Sequence, residues 1–325
     1  MIRQNRLYQL LFDYSFGLKR SRLPKSRGVA FRVYKLIVDR HRRKGIHDQY
    51  VRFRQNGHEL LLSTTHGLPF TLLREKLYSS NVARICKHVL RKYPGASVVD
   101  IGANIGDTAF FIKQEVNCPI LCVEGNEQYE ELLVRNVQPF ADVEIETSFV
   151  GEDETMLGRI VLDGRGTAKI VKGTNGNTEG AQLRYKRLET IVTEHPKFKD
   201  FKVLKIDTDG YDCQIIRSST KLLARQRPVV FFEYAPAWLP AGKESEVEIF
   251  ELLARTGYSG VLFYTAPGEL LLSCKLGESH IARQAHEYFR RGRRFGDVVA
   301  FPECDEDLHR EIERAELVVM RSAYE

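Results

Sequence analysis

The chain has 325 residues, 43% hydrophobic and 28% charged, a composition ordinary for a globular protein and a length that suits one large α/β domain or two smaller ones. Its net charge of +6 is unevenly spread: residues 1–54 hold fifteen Lys/Arg against three Asp/Glu, which makes this arm +12 and the rest of the chain −6. Six scattered cysteines without a Cys-x-x-Cys pair exclude a zinc or disulfide framework and read as reduced core thiols, and no apolar stretch approaches the ~18–20 residues of a membrane span.

The arm comes first, over residues 1–54. Leu7–Phe12 is too short and interrupted for a signal-peptide core, so a cytoplasmic location is expected. Two amphipathic stretches, Met1–Gly17 and Val29–Arg43, follow each other. In the second, Phe31, Tyr34, Ile37 and Val38 fall near helical spacing, with Arg32, Lys35, Arg40, Arg42, Arg43 and Lys44 around them. The leading reading is a helical cap on the body or on a partner, with its basic face solvated. A membrane-surface helix drawn to anionic lipid is the second reading, and would place the chain peripherally at the inner membrane surface. Nucleic acid comes last, because no readout motif accompanies the charge.

Residues 55–96 lead into the core. Arg52–Ser63 reads as a hairpin turning at Asn56-Gly57, and Ser80–Lys92 as a helix ending at Pro94-Gly95. From residue 97 to 325, strands and helices alternate: strand 97–102, helix 106–116, strand 119–125, helix 127–137, strand 142–150. Such alternation predicts an α/β fold with a doubly wound, mostly parallel sheet. A β-insertion at about 155–187, around the loop Gly173–Gly180, interrupts it. Helix Leu188–Glu194, strand Val203–Asp207, helix Asp212–Ala224, strand Val229–Glu233 and helix Glu244–Thr256 resume the pattern. Strands Tyr258–Tyr264, Glu269–Ser273 and Asp297–Phe301 close it.

The most telling segment is Asp100-Ile101-Gly102-Ala103-Asn104-Ile105-Gly106, behind the apolar residues Val98-Val99. A strand, a glycine-punctuated turn and a helix build a nucleotide-sized crevice at the carboxyl end of a parallel sheet. The glycines are spaced Gly-x-x-x-Gly, which lacks the third glycine of a dinucleotide-binding turn and weakens the reading as an NAD-dependent oxidoreductase. An adenosine-bearing ligand without phosphates fits better, and S-adenosylmethionine is the candidate. Glu124 ends the apolar run Leu121-Cys122-Val123, where an acidic residue can accept hydrogen bonds from both ribose hydroxyls. The candidate cofactor residues are therefore Asp100, Gly102, Asn104, Gly106 and Glu124.

Two further strand ends carry charge. In Lys205-Ile206-Asp207-Thr208-Asp209, period two puts Lys205, Asp207 and Asp209 on one side, and a buried lysine needs a partner, for which Asp207 is the expectation. Val229-Val230-Phe231-Phe232-Glu233 places a carboxylate on what should be the neighbouring strand. Asp207 and Glu233 can supply a general base and an orienter for an acceptor hydroxyl, with Lys205 tuning the carboxylate. Asp207, Asp209 and Asp212 could instead gather a Mg²⁺ ion, although Asp212 serves equally as a helix N-cap. His195, His280 and His286 read as surface residues. Trp238 could stack on a sugar or simply pack over a strand end.

Taken together, Val99–Gly106, Leu204–Gly210, Phe232-Glu233 and Arg187–Ile191 resemble the FkbM-type S-adenosylmethionine-dependent methyltransferases, over roughly residues 80–302. Where that family often shows Lys-Ile-Asp-x-Glu-Gly-x-Glu, this chain has Asp209 and Asp212 in place of the two glutamates. The resemblance implies a Rossmann-like class I methyltransferase fold. It also implies O-methylation, commonly of a hydroxyl on a sugar or glycan, a glycolipid or a natural product. The alternative is a catalytically silent methyltransferase-fold protein that serves as a membrane- or partner-associated scaffold.

Overall fold

Eight strands form the central sheet, and their burial explains their sequences. They are β1 (Val98–Ile101), β2 (Ile120–Val123), β3 (Val143–Glu146), β4 (Val203–Ile206), β5 (Val229–Tyr234), β6 (Tyr258–Tyr264), β7 (Leu270–Lys275) and β8 (Gly296–Pro302). All four residues of β1, of β2 and of β4 are buried, as expected of strands covered by helices on both faces, which read as near-continuous apolar runs. The computed structural model describes residues 3–4, 6–16, 25–46, 48–152, 155–162, 168–172, 181–236, 248–292 and 294–324.

The strand order is β7-β6-β8-β5-β4-β1-β2-β3. Strands β3, β2, β1, β4 and β5 run parallel; β8, β6 and β7 are added by antiparallel pairings, so that β8 and β7 oppose the parallel set and β6 runs with it. From β1 the chain first winds outward through β2 and β3, then returns to the other side for β4 and β5. The order therefore reverses between β1 and β4, and a ligand crevice opens at such a switch point, outside the carboxyl ends of the strands.

Side chains of the sheet alternate between two cores, as the pleat requires. Val98, Ile120, Cys122, Val203, Val229 and Phe231 join one, with Val89 and Phe110 from the helices Ser80–Lys92 and Asp107–Glu115. Val99, Leu121, Val123, Leu204, Val230 and Phe232 join the other, with Ile191, Ile216, Leu253 and Phe289 from the helices on that face. Cys86, Cys118, Cys122, Cys213 and Cys274 are buried free thiols; only Cys304 is exposed.

The arm docks on the body. Its helices Arg6–Phe16 and Lys25–Lys44 run antiparallel, Tyr8 meeting His41 and Phe16 meeting Phe31. Phe12, Phe16, Tyr34 and Val38 enter the first core. Phe16, Phe31 and Tyr34 all pack on Phe70, which lies on a short helix, Leu68–Arg74, that the sequence does not announce. Arg42 fastens the arm with two hydrogen bonds to the Thr65 carbonyl, at 3.1 and 2.7 Å.

Two elements differ from expectation. The stretch 142–150 is two strands: β3 belongs to the central sheet, while Phe149–Val150 pairs parallel with Ala181–Lys186 in the insertion. That insertion is a separate four-stranded sheet, completed by Thr155–Leu162 and Ala168–Lys172. The helix after β4 breaks at Ser219 into Asp212–Ser218 and Thr220–Gln226. The loop Gly173–Gly180 and Trp238 lie outside the described residues. Among the described residues, no helix is long and apolar enough to cross a membrane.

Candidate functional site

A cleft open to solvent lies at the carboxyl edge of β1, β2 and β4. Its floor is the turn after β1. Gly102 has φ +75°, and a Cβ built there would sit 1.9 Å from the Asp207 carbonyl oxygen. The turn and the end of β4 therefore touch backbone to backbone, which only glycine permits. Asn104, at φ 51°, also adopts the left-handed conformation. Gly106, at φ +83°, is buried behind the turn, with Leu133 and Val137 3.0 Å from a built Cβ.

Glu124 follows β2 and points back toward the turn. One carboxylate oxygen accepts from the Asn104 N–H at 2.8 Å, and the other from the Asn126 N–H at 2.8 Å. Burial pushes its carboxyl above the usual range, and the two backbone donors pull it partly back. A solvated loop carboxylate would show neither feature. Each oxygen uses one of its lone pairs in these bonds, which leaves acceptor capacity for a pair of hydroxyls in the cleft.

The upper part of the cleft is aromatic. Tyr129, Phe149, Tyr185 and Tyr211 line it together with Asn126 and Ser148. The Phe149 and Tyr185 ring centroids are 5.3 Å apart, and Phe149 lies so close over Gly125 that a Cβ there would come within 2.4 Å of the ring. A polar rim at Glu124 beside flat apolar walls suits a nucleoside.

Beneath the floor lies a buried charge cluster. Asp100 and Lys205 are register partners on β1 and β4, with the Lys205 Nζ 2.9 Å from Asp100 Oδ1 and donating to the Gly102 carbonyl at 3.2 Å. Asp207 Oδ2 is farther off, at 3.7 Å. The first partner of Lys205 is thus Asp100 on the adjacent strand, because the pairing of β1 and β4 aligns the two side chains. Burial alone would lower the Lys205 ammonium, but Asp100 and Asp207 hold it above its ordinary value. The Asp207 side chain is 52% exposed and lines the cleft.

Glu233 and Asp297 are register partners on β5 and β8. Burial, and after it the charge of Asp207, raises the Glu233 carboxyl well above its usual range, and its Oε2 has no hydrogen-bond partner among the described residues. Burial raises Asp297 to about 7, although Asn81 donates to it at 2.9 Å. Asp212 is raised to about 7, again first by burial. It fastens the loop after β4: Oδ2 accepts from the Thr208 hydroxyl at 2.9 Å, and Oδ1 from the Glu233 N–H at 3.2 Å. The helix N-cap is Tyr211 rather than Asp212.

Residues 100–259 match the family model of the methyltransferase FkbM domain. Over these residues the chain is similar to FkbM methyltransferase domains. A comparison with curated proteins finds no match. Among solved structures, the FkbM methyltransferase of Methylobacillus flagellatus KT is similar at 11% identity and a TM-score of 0.37, over 64% of this chain and 44% of that one. The chain thus spans less than half of that protein. A geranyl diphosphate methyltransferase in complex with SAM is similar at 12% identity and TM-score 0.40, over 73% of this chain and 89% of that one. An O-methyltransferase from Bacillus cereus in complex with SAH is similar at 12% and 0.39, over 68% and 80%.

Within the matched residues, the candidate residues divide by depth. Gly102, Asn104, Glu124, Asp207 and Asp209 line the cleft. Asp100, Gly106 and Lys205 lie beneath it and shape or charge its floor, and Glu233 stands behind Asp207 rather than on the wall. Both carboxylate oxygens of Asp212 are engaged by its own loop and by β5, which argues against a Mg²⁺ role with Asp207 and Asp209. Among the described residues, no group of three or more His, Cys, Asp or Glu is placed to hold a metal ion. His195 and His286 are more than surface residues: His195 sits between Glu144 and Glu146, each at 3.3 Å, and His286 shares a 2.7 Å hydrogen bond with the Tyr234 hydroxyl. The residues that sequence reasoning missed are Asn126, Tyr129, Phe149, Tyr185 and Tyr211. Asn126 follows Glu124 by two positions and caps the helix Glu127–Val137, a signal that was readable; the aromatic residues come from distant segments.

Proposed function

We propose that the FkbM-like domain binds S-adenosylmethionine in the cleft over Gly102 and transfers its methyl group to an acceptor hydroxyl. The observation that carries the reading is Glu124, fixed by the Asn104 and Asn126 N–H groups and facing a cleft with aromatic walls. The residues fit the cofactor: Glu124 would take the ribose hydroxyls, Phe149 and Tyr185 the adenine, and the turn Gly102–Asn104 the amino-acid part. When bound, the cofactor supplies an already activated sulfonium methyl, so alignment of the acceptor oxygen is the main task left to the protein.

Asp207 is the general base of this reading. It lines the cleft, keeps solvent contact, and stands 3.7 Å from the Lys205 ammonium. A base within hydrogen-bond reach of the hydroxyl assists its attack. Glu233, which burial holds toward its protonated form, acts as an orienting donor rather than a second base. For the acceptor, the resemblance favours a hydroxyl of a sugar, glycan, glycolipid or natural product.

The test has two arms. Calorimetry with S-adenosylhomocysteine should show binding to the chain and none to Glu124→Ala; no binding by the unaltered chain at millimolar ligand would overturn the reading. Labelled S-adenosylmethionine, offered with a panel of glycans, should then label a hydroxyl in a manner lost in Asp207→Asn. Intact cofactor binding with no acceptor labelled would favour the scaffold alternative.

A further inference from the structure

The arm is more apolar than its docking requires. Of the eleven large hydrophobic side chains exposed among the described residues, six lie on its two helices: Leu7, Leu10, Tyr14, Val29, Val33 and Leu36. The apolar set that the sequence displays most plainly, with Tyr34 and Val38, is consumed by the body. The exposed six form a second set on the opposite side of each helix. At 100° per residue, Val29, Val33 and Leu36 are centred about 150° from Tyr34 and Val38, and Leu7, Leu10 and Tyr14 about 170° from Phe12 and Phe16. Both helices pack on the same body through Phe70, so these second faces point away from it.

Charge follows the same face. Arg32, Arg40, Arg43 and Lys44 flank the Val29–Leu36 stripe, and all are exposed. No ion pair among the described residues engages Arg32, Lys35, Arg40 or Lys44. The only exposed acidic residue on the two helices is Asp13, which faces Arg54 at 3.7 Å. Exposed apolar residues ordinarily occur singly, whereas two parallel stripes rimmed by cations mark an interaction surface. A protein groove would match the apolar stripes but not a rim in which cations outnumber the half-buried Asp39 and the Arg54-paired Asp13. An anionic bilayer matches both, since acyl chains take the apolar residues while headgroups neutralise the cations.

We propose that the outer face of the paired arm helices is a docking surface for anionic membrane, holding the FkbM-like domain peripherally with its cleft free. Cosedimentation of the full chain with vesicles tests this. Binding is expected to vesicles of phosphatidylcholine with phosphatidylserine and to be absent with phosphatidylcholine alone. It should fall as salt rises from about 0.1 M to about 1 M, over which the screening length shrinks from ~10 Å to ~3 Å. The pair Leu10→Glu/Leu36→Glu, at positions each 67% exposed, should lower the partition coefficient about tenfold or more, with an unchanged circular dichroism spectrum and melting curve. Three outcomes overturn the proposal: no binding to anionic vesicles, binding that survives the double variant, or a dimer of the unaltered chain that the double variant dissociates, which would assign the face to a second copy.

Discussion

Lys205 and Asp100 stand side by side on adjacent strands, 2.9 Å apart and wholly buried, directly under the turn that forms the floor of the cleft. The lysine also holds the Gly102 carbonyl, so one side chain ties the two central strands to the turn. Removing one partner of a buried ion pair leaves an uncompensated charge, which costs about 3–5 kcal/mol. Lys205→Met should destabilise the chain by that amount in urea titration. Asp100→Leu/Lys205→Met should lose markedly less, because no charge is stranded. Equal losses in the single and double variants would show that the pair does not act as a unit.

Gly102 and Gly210 offer a matched comparison. Both have positive φ, at +75° and +107°, but a Cβ at Gly102 meets the Asp207 carbonyl oxygen at 1.9 Å whereas one at Gly210 meets nothing within 4 Å. Gly210→Ala should cost only backbone strain, of order 1–3 kcal/mol. Gly102→Ala should cost more and also weaken S-adenosylhomocysteine binding, since β1 and β4 must separate. Thermal melts of the two variants check this, and a similar effect of both would mean that the close approach of the strands is not limiting.

The sheet was legible because its strands are buried on both faces and its helices recur between them. Ser80–Lys92 and Glu127–Val137 end where spacing and caps place them. Phe149–Val150 was not legible as a part of the insertion: it reads as a continuation of β3, and only pairing with Ala181–Lys186, more than thirty residues on, removes it. For the site, Glu124 and the glycine turn were visible from local spacing. The partner of Lys205 was not, because Asp100 is a neighbour only across the β1–β4 register. The arm was half legible: its buried face follows helical periodicity, but which face meets the body depends on Phe70.

Asp297 predicts a pH dependence. Burial pushes its carboxyl up to about 7 in the folded chain, from an ordinary value of 3.8. Below about 4 both states hold the proton and burial carries no penalty. As pH rises from about 4 through about 7, the unfolded chain has released the proton while the folded one retains it, so stability falls. Asp297→Asn cannot titrate and can still accept from Asn81. The difference in Tm between variant and parent should therefore move in the variant's favour across that window, at up to ~1.4 kcal/mol per pKa unit. Parallel Tm curves from pH 4 to 8 would show that Asp297 is not held protonated.

Phe149 tests where the nucleoside lies. Its ring covers Gly125, stands beside Tyr185 and lines the cleft next to Glu124. Stacking of a base on an aromatic side chain contributes about 1–3 kcal/mol, so Phe149→Ala should weaken S-adenosylhomocysteine binding by about 5-fold to about 150-fold. Free adenosine should lose a similar factor, because it shares the stacked part. Glu124→Gln should also weaken both ligands, since its amide must turn an N–H toward the donor of Asn104 or Asn126. Calorimetry on the two variants separates the contributions of base and ribose. An affinity for adenosine that Phe149→Ala leaves unchanged would place the base elsewhere in the cleft.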